Sequence, residues 1–321
     1  MKPATLFILM ASGASAAATP VIPGYSPRAR GNTTPQQHVP LRLLHTFTPI
    51  STATGKGNSR LFASSSSSKE STKGGAVLAL PDNNLSTAQA TIRIPAAKMP
   101  TAGPTANNTV GEYAASFWVG IDSATDACAG SGAGSLRAGV DIFWDGTLGG
   151  QQRPFAWYQG PGQAGEVGFD EGFSVAEGDV VRFTLEAGAA GPDGKEVEAV
   201  AVVAENFGRN VSRIIGKNAI PVKRVRQVLP AEVGGKRLCR GEAAWMVEDF
   251  PLQGRPEFPT ALVNFTSVTF NAGVVLDDGK ERDLTDAEVL DIRLEAQGGR
   301  LTSCEVVGGT KVSCARVVRD D

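Results

Sequence analysis

The sequence predicts an all-β protein in which two antiparallel sheets pack face to face as a sandwich. Two observations support this fold class. Short segments rich in Val, Thr and Phe alternate with glycine-rich turns, since 38 of the 321 residues are glycine, and few windows show helical periodicity. The regular strand pattern starts only after Lys73. We therefore assign residues 74–321 to the sandwich and treat the residues before them as separate segments.

The N-terminal segment, residues 1–16, is typical of a secretory signal peptide. Met1-Lys2 supplies a positive charge, residues 4–11 form an apolar core, and Ala14-Ser15-Ala16 fits a cleavage site. The segment is too short to span a membrane, and no second apolar segment follows it. We therefore expect a secreted, extracellular protein that has no membrane partner.

Residues 17–73 have the composition of a pro-segment or a disordered leader. A serine run covers Ser64–Ser68, and six prolines interrupt any periodic pattern between residues 20 and 49. The segment is also basic, which fits a pro-segment that covers an acidic cleft until it is removed. A leader without an inhibitory role fits the composition equally well.

From residue 74 onward, clusters of Gly, Asn and Asp separate most of the short apolar segments. The segment 88–94 alternates as a half-buried strand does, with Ile92 and Ile94 on one face and Thr91 and Arg93 on the other. The predicted strands are Gly74–Leu80, Ala88–Ile94, Ala114–Ile121, Ala138–Trp144, Phe155–Tyr158, Val180–Glu186, Val197–Glu205, Ala243–Asp249, Val263–Phe270, Val289–Glu295, Arg300–Val307 and Lys311–Val318. We assign the basic stretch Lys223–Arg226 to a solvated loop, with a processing site as the alternative.

The four cysteines form an even set, for which disulfides are expected in a secreted protein. Three pairings are open to four cysteines. We favour Cys304–Cys314, because Gly308-Gly309 between them fits the turn of a hairpin that brings the two strands together. Cys128 then pairs with Cys239. A zinc site is the competing interpretation, but the Cys-x-x-Cys spacing is missing.

Secretion also gives meaning to five Asn-x-Ser/Thr sequons, each a candidate glycosylation site. We expect several to go unused, in particular Asn264, which falls in a predicted strand. The candidate asparagines are Asn32, Asn84, Asn107, Asn210 and Asn264.

The histidine content excludes several kinds of catalytic site. His38 and His45 are the only histidines, and both lie in the leader. Once the leader is removed, no His-containing triad, Cys–His dyad or His-ligated zinc can form. Any hydrolysis would then depend on carboxylates, amides and water, and we expect neither a metal nor a cofactor. A net charge of −2 and a pI near 5.9 give no reason to expect nucleic acid as a partner.

Three segments carry a resemblance to a known family. They are Phe117–Asp122, Leu136–Asp141 and Ala244–Phe250. Together they resemble the active-site segments of the eqolisins, the fungal acid glutamic endopeptidases. Residues 74–77 resemble the mature start of that family, although Lys73 stands in place of the usual Trp. The resemblance implies a concanavalin A-like lectin/glucanase sandwich and proteolysis of extracellular protein at acidic pH.

The same segments depart from the family at the two residues on which its chemistry rests. The family reads Leu-Gln-x-Gly-Val-Asp where this chain has Arg137 in second place, and Glu-Trp-Ile-Val-Glu-Asp-Phe where this chain starts with Ala244. In the family, the Gln and the Glu hold a water, the Glu acting as general base and acid and the Gln stabilising the oxyanion. The resemblance thus implies that the catalytic pair is lost. Glu242, two places before Ala244 and on the same face of a strand, is a candidate substitute.

The resemblance implies roles for further residues. Trp118, Asp122, Trp157 and Gln159 are expected to line the substrate cleft, and Asp141 and Glu248 to support it. We expect Trp118, Arg137, Trp157 and Ala244 to share one sheet face. We also expect the Arg137 guanidinium to pair with a carboxylate, with Glu242 the first choice and Asp122 and Glu248 the alternatives.

Two functions follow from these residues. The first is a secreted acid endopeptidase that acts on extracellular protein. The second is a catalytically inactive sandwich that binds peptide or glycan in the same cleft. In either case we expect a monomer whose partner is a protein or peptide.

Overall fold

A computed structural model describes residues 70–100, 103, 111–124, 132, 134–170, 172–188, 199–211, 219–250 and 260–317. These residues form short strands and two 3-10 helices, Gly146–Leu148 and Glu295–Gln297. No helix among them is long and apolar enough to cross a bilayer. The strands are β1 (Lys73–Ala79), β2 (Leu85–Arg93), β3 (Glu112–Ile121), β4 (Leu136–Asp145), β5 (Gly150–Gln151), β6 (Phe155–Gln159), β7 (Val167–Gly168), β8 (Val180–Ala187), β9 (Ala199–Asn206), β10 (Lys223–Pro230), β11 (Glu232–Val233), β12 (Lys236–Arg237), β13 (Glu242–Glu248), β14 (Ala261–Leu262), β15 (Ser267–Leu276), β16 (Glu281–Arg282), β17 (Glu288–Leu290), β18 (Arg293–Leu294), β19 (Gly299–Arg300), β20 (Thr302–Val307) and β21 (Lys311–Arg316).

Two large sheets contain most of these strands, and the predicted all-β sandwich is confirmed. The first sheet has the order β17-β1-β13-β3-β4-β6-β7, with β14 beside β3 and β5 beside β4. The second has the order β10-β9-β8-β2-β15-β21-β20, with β16 beside β15. Neighbouring strands are antiparallel, except that β14 runs parallel to β3. In the first sheet, β13 and nearly all of β3 are buried along their length, which requires cover on both faces.

The hydrophobic core lies between the two sheets. Phe117 of β3 packs edge-on against Phe265, with ring centroids 5.2 Å apart. Phe183 and Phe270 of the second sheet are fully buried with them. Trp245 of β13 donates its indole N–H to the carbonyl of Gln89 at 2.8 Å, which ties the two sheets together. Burial of each aromatic side chain contributes about 2–3 kcal/mol, which accounts for the fixed packing of the sheets.

Two strand predictions and one loop prediction are wrong in detail. The predicted strand Val263–Phe270 starts later, as β15, because the chain turns at Thr266, where φ is +61° and the N–H donates to Asn264 Oδ1 at 3.0 Å. The predicted strand Val289–Glu295 is split into β17 and β18 around Ile292, whose N–H donates to a side chain, Thr302 Oγ1. The stretch Lys223–Arg226 lies not in a loop but in β10, paired with β9.

The predicted Cys304–Cys314 disulfide is confirmed. The two residues are directly opposite each other in the β20–β21 hairpin, with Cα atoms 4.1 Å apart. Gly308 and Gly309 form its turn with φ of +58° and +65°, a conformation that glycine adopts without strain. The predicted Cys128–Cys239 bridge involves Cys128, which lies outside the described residues, as do the signal peptide and residues 17–69 of the leader.

The candidate glycosylation sites differ in their surroundings. Asn210 is exposed in a bend after β9. Asn84 and Asn264 are half-buried, and the side chain of Asn264 accepts the hydrogen bond that forms the turn at Thr266. Asn32 and Asn107 lie outside the described residues. Of the three candidate asparagines that the structure describes, Asn210 is therefore the one most open to a glycosylating enzyme.

Candidate functional site

The predicted site residues lie on the outer face of the first sheet, on neighbouring strands. Gly120 of β3 pairs with Arg137 of β4 on one side and with Ala244 of β13 on the other. Trp118 lies two residues before Gly120 and therefore faces the same way. Trp157 of β6 pairs with Gly139, two residues after Arg137. Trp118, Arg137, Trp157 and Ala244 thus share one face, as the sequence predicts.

Glycines make room for the aromatic side chains on this face. A Cβ atom at Gly139 would lie 2.4 Å from the carbonyl oxygen of Phe117 and 2.6 Å from Cβ of Trp118. No flexible side chain can move to relieve these contacts, because the two atoms belong to the backbone of β3 or are bonded directly to it. The glycine in the middle of β4 is therefore required for the position of the Trp118 indole.

Arg137 occupies the centre of the site. Its Nε donates to Oε1 of Gln159 at 3.0 Å, and its Nη2 donates to the same oxygen. Its Nη1 lies 3.8 Å from Oε2 of Glu248. The guanidinium carbon is 5.4 Å from the ring centroid of Trp118 and 5.7 Å from that of Trp157, within the range of cation–π attraction. Arg137 is therefore held by an amide, a carboxylate and two indole rings.

Both indoles are fixed by carboxylates. The Nε1 of Trp118 donates to Oε2 of Glu248 at 2.7 Å, and the Nε1 of Trp157 donates to Oδ1 of Asp141 at 2.8 Å. Both carboxylates are buried. A charge-assisted bond of this length orients an indole ring firmly. The two residues predicted to support the site are thus placed to set the orientation of its aromatic side chains.

The indole rings are not open to solvent. Trp118 is 1% exposed and Trp157 0% exposed, and they form a small apolar cluster with Val77, Ala244 and Met246, separate from the main core. Arg137, by contrast, is partly exposed. A ligand that approaches this face therefore meets the arginine before it meets either aromatic ring.

Glu242 is not the partner of Arg137, so the first choice made from the sequence is wrong. The carboxylate is only 2% exposed, and its Oε1 accepts hydrogen bonds from the N–H groups of Ser123 at 3.1 Å and Ala124 at 2.7 Å. The chain turns just before these residues, at Asp122, where φ is +52°. The turn brings both N–H groups to Glu242, while Glu248 and Gln159 hold the arginine.

Asp122 ties the end of β3 to the start of β13. Its Oδ2 accepts from the N–H of Arg240 at 2.7 Å and its Oδ1 from the N–H of Gly241 at 2.9 Å. Burial raises the pKa of the Asp122 carboxyl, an effect that the two backbone N–H groups oppose. Both carboxylate oxygens of this predicted cleft residue thus bond to the backbone of a neighbouring segment.

Lys73 is a site residue that the sequence reasoning missed. Its Nζ lies 5.6 Å from the ring centroid of Trp118 and donates to the carbonyl of Ser123 at 3.3 Å. The sequence predicts Lys73 as the end of the leader, but residues before it already pair with the sandwich, since Ser71 exchanges backbone hydrogen bonds with Arg293. Lys73 stands where the family usually has a Trp, and this departure could have identified it as a site residue.

Sequence comparisons relate this chain to a known peptidase family. A sequence model of the Peptidase A4 family matches residues 71–316. Aspergillopepsin-2 of Aspergillus niger is 31% identical over 198 residues, which are 61% of this chain and 57% of that protein. The chain thus spans less than two thirds of the length of this curated relative.

Two solved structures share the fold. One is scytalido-glutamic peptidase with a transition state analog inhibitor, and the other is SCP-B, a member of the Eqolisin family, in a complex with the tripeptide Ala-Ile-His. Each has a TM-score of 0.53 and 24% identity, and the match covers 77% of this chain and 99% of the other. Because the family model covers most of the sequence, this chain belongs to the Peptidase A4 family, the eqolisins.

Proposed function

We propose that this protein is a secreted member of the eqolisin family that binds extended peptide on the Arg137 face without hydrolysing it. The observation that supports the proposal is that Arg137 and Ala244 lie at the centre of the site, on the two strands that flank Gly120. A peptide is the favoured ligand because a family member with the same fold is known in a complex with a tripeptide. Glycan binding at this face is the alternative that the sequence left open.

The two central residues cannot perform acid proteolysis. Hydrolysis of a peptide bond by this kind of site needs a group that takes a proton from water and returns it to the leaving amine. The methyl group of Ala244 cannot transfer a proton. The guanidinium of an arginine stays charged in proteins and has no lone pair that accepts a proton, so Arg137 cannot act as the base either. Loss of a general acid/base typically lowers the rate by about 10²–10⁴-fold.

Acid proteolysis through Glu242 is the second candidate function. It is favoured by the location of Glu242 on the same face of β13 as Ala244, two residues away. The contacts of Glu242 argue against it, because its Oε1 already accepts two backbone hydrogen bonds and the residue is buried. A general base has to reach the attacking water, and these bonds hold the carboxylate at the turn after β3 instead.

An activity assay separates the two functions. The secreted protein, its Glu242→Gln variant and the double variant Arg137→Gln/Ala244→Glu would be incubated with casein between pH 2 and 5. We expect no cleavage by the first two and measurable cleavage by the double variant, since the substitutions supply a carboxylate and a neutral amide donor. Circular dichroism checks that each variant is folded. Robust cleavage by the unmodified protein that Glu242→Gln abolishes would overturn the proposal.

A further inference from the structure

We infer that the turn Asp122–Ala124 acts as a strap, which closes the Arg137 face and has to open before a ligand reaches Trp118. The inference rests on the proposed function, because it concerns access to the same site. It is carried by the burial of the residues on this face, by the position of Ser123 over the centre of the site, and by the few side-chain contacts that hold the turn.

The aromatic residues on this face are covered. Each residue of the apolar cluster around Trp118 and Trp157 is at most 4% exposed, although the cluster lies on the outer face of the first sheet. Residues on an outer face become buried only where other parts of the chain cover them. Ala124 of the strap packs against this cluster, together with Phe155 and Leu290. A peptide that approaches the closed face reaches neither indole ring, so contact with the rings requires part of the cover to move.

Ser123 of the strap lies over the centre of the site. A Cβ atom at Gly120 would overlap with the Oγ of Ser123 and would lie 2.9 Å from its Cβ. Gly120 is the residue that Arg137 and Ala244 flank in the register of the sheet. The hydroxymethyl group of Ser123 therefore occupies the outer side of Gly120. While the strap is closed, no ligand can contact the sheet between Arg137 and Ala244.

Side chains hold the end of the closed strap. The Oε1 of Glu242 accepts from the N–H groups of its last two residues at 3.1 and 2.7 Å, and the Nζ of Lys73 donates to the carbonyl of Ser123 at 3.3 Å. Phe155 and Leu290, by contrast, belong to β6 and β17, which backbone pairing fixes in the sheet. Of these parts of the cover, the strap is therefore the one that can move without breaking a strand pair.

Two features disfavour the closed strap. The Oγ of Ser123 is buried and has no hydrogen-bond partner among the residues that the structure describes. A buried hydroxyl without a partner loses the hydrogen bonds that it makes to water. Asp122, at the start of the strap, has a φ of +52°, a conformation that is uncommon for residues other than glycine. Because opening hydrates the hydroxyl, the bonds from Glu242 and Lys73 decide the balance between the closed and the open state.

Amide hydrogen exchange, followed by NMR, tests whether the strap opens. In the unmodified protein we expect the N–H groups of Ser123 and Ala124 to exchange at least about a hundredfold faster than those in the middle of β3 and β13, because the strap opens locally. Glu242→Ala should accelerate their exchange by a further factor of about ten, since it removes both bonds that hold them. Ser123→Ala should slow the exchange about threefold, because the closed state then contains no unpartnered hydroxyl.

A matched control separates the strap from general stability. Glu205→Ala removes a carboxylate whose side chain is 14% exposed from the outer face of the second sheet, and it should leave the exchange of the strap unchanged. If Glu242→Ala does not fold, Glu242→Gln takes its place. This variant keeps the oxygen acceptor but loses the charge, so the acceleration should fall to about threefold.

Stopped-flow measurements of peptide binding connect the strap to the site. The probes are the tripeptide Ala-Ile-His and an acetylated, amidated alanine octapeptide, and tryptophan fluorescence reports their binding. A ligand that needs the open state associates at a rate proportional to the open fraction. The association rate should therefore rise about tenfold in Glu242→Ala and fall about threefold in Ser123→Ala, in parallel with the exchange rates.

The outcomes separate the inference from the proposed function. Exchange at Ser123 and Ala124 as slow as in the middle of β3 would overturn the inference, because the turn then opens only when the whole protein unfolds. Equal association rates in all variants would overturn it as well and would leave peptide binding standing. If neither peptide binds, the proposed function is wrong, and the exchange rates alone decide whether the strap opens.

Discussion

The outer faces of the two sheets use arginine and carboxylate side chains in different ways. On the second sheet the two kinds of side chain pair with each other, the pair of Arg182 and Glu205 mostly buried and the pairs of Arg224 and Arg226 near solvent. Arg182 and Arg224 lie 3.6 and 3.5 Å from the oxygens of Glu205, and Arg226 pairs with Glu186 at 2.6 Å. The exposed fractions of Arg224 and Arg226 are 62% and 45%, so water screens these pairs.

On the site face the carboxylates bond instead to indole N–H groups, and the arginine lies against the indole rings. Only 14% of the Arg137 side chain and 11% of that of Glu248 are exposed. The same types of residue therefore form a buried, fixed arrangement on the site face, whereas the pairs of Arg224 and Arg226 on the second sheet are solvated. We expect substitutions of the same kind to be costly on the site face and nearly neutral at the solvated positions of the second sheet.

The largest expected difference is between two glycines. Gly139→Ala on the site face should destabilise the protein by about 3 kcal/mol, because the new methyl group meets the backbone of β3 at 2.4 Å. Gly273→Ala on the outer face of the second sheet should stabilise it by about 0.5–1 kcal/mol, since its Cβ would meet only Gln89 at ordinary distances of 3.7 Å and more. Urea unfolding monitored by circular dichroism gives both values. Equal changes in the free energy of unfolding for the two variants would contradict the difference between the two sheets.

The next difference is between two glutamates. Glu248→Gln should cost about 1.5–3 kcal/mol, because it removes the charge that lies beside the mostly buried guanidinium of Arg137. Glu186→Gln removes the same charge from beside Arg226 and should cost no more than about 1 kcal/mol. Thermal and urea unfolding of the two variants, at low and high salt, sharpens the comparison. A large, salt-dependent loss in Glu186→Gln would contradict it.

The smallest effect concerns pH. The folded-state pKa of Asp122 is raised by burial, so the native state holds this proton more tightly than the unfolded state. The stabilisation from the proton is therefore complete below the unfolded pKa of about 4 and is lost as the pH rises through the raised value. We expect the stability advantage of the unmodified protein over Asp122→Asn to fall from pH 3 to pH 7. An advantage that grows over this range would show that the pKa is lowered.

The sequence predicts the strands best where both faces of the sheet are covered. The predicted segments around β3, β4 and β13 match the structure because their apolar residues are continuous and the family motifs lie in them. Prediction fails at β10, because three of the four residues from Lys223 to Arg226 are charged and the segment does not show the composition of a strand. The pairing of β10 depends on the partner strand β9, and local composition does not encode it.

The site is predicted in outline but not in its contacts. The resemblance to the family is what predicts Arg137 and Ala244, which belong to different strands, on one face. The choice between Glu242 and Glu248 as the partner of Arg137 depends on the backbone turn at Asp122, which brings two N–H groups to Glu242. The alternating pattern of a strand does not reveal that Asp122 adopts a left-handed backbone conformation. Side-chain pairing within the site therefore required the three-dimensional structure.

The charged residues of β10 have a consequence for the behaviour of the protein at high concentration. In the described part of the chain β10 pairs only with β9, so it forms one edge of the second sheet. The unpaired N–H and C=O groups of an uncharged edge strand can bond to the edge strand of another molecule, and repeated pairing of this kind leads to aggregation. Lys223, Arg224 and Arg226 place like charges along this edge, and Pro230 at its end has no N–H to donate. We therefore expect β10 to hinder edge-to-edge association of separate copies of the molecule.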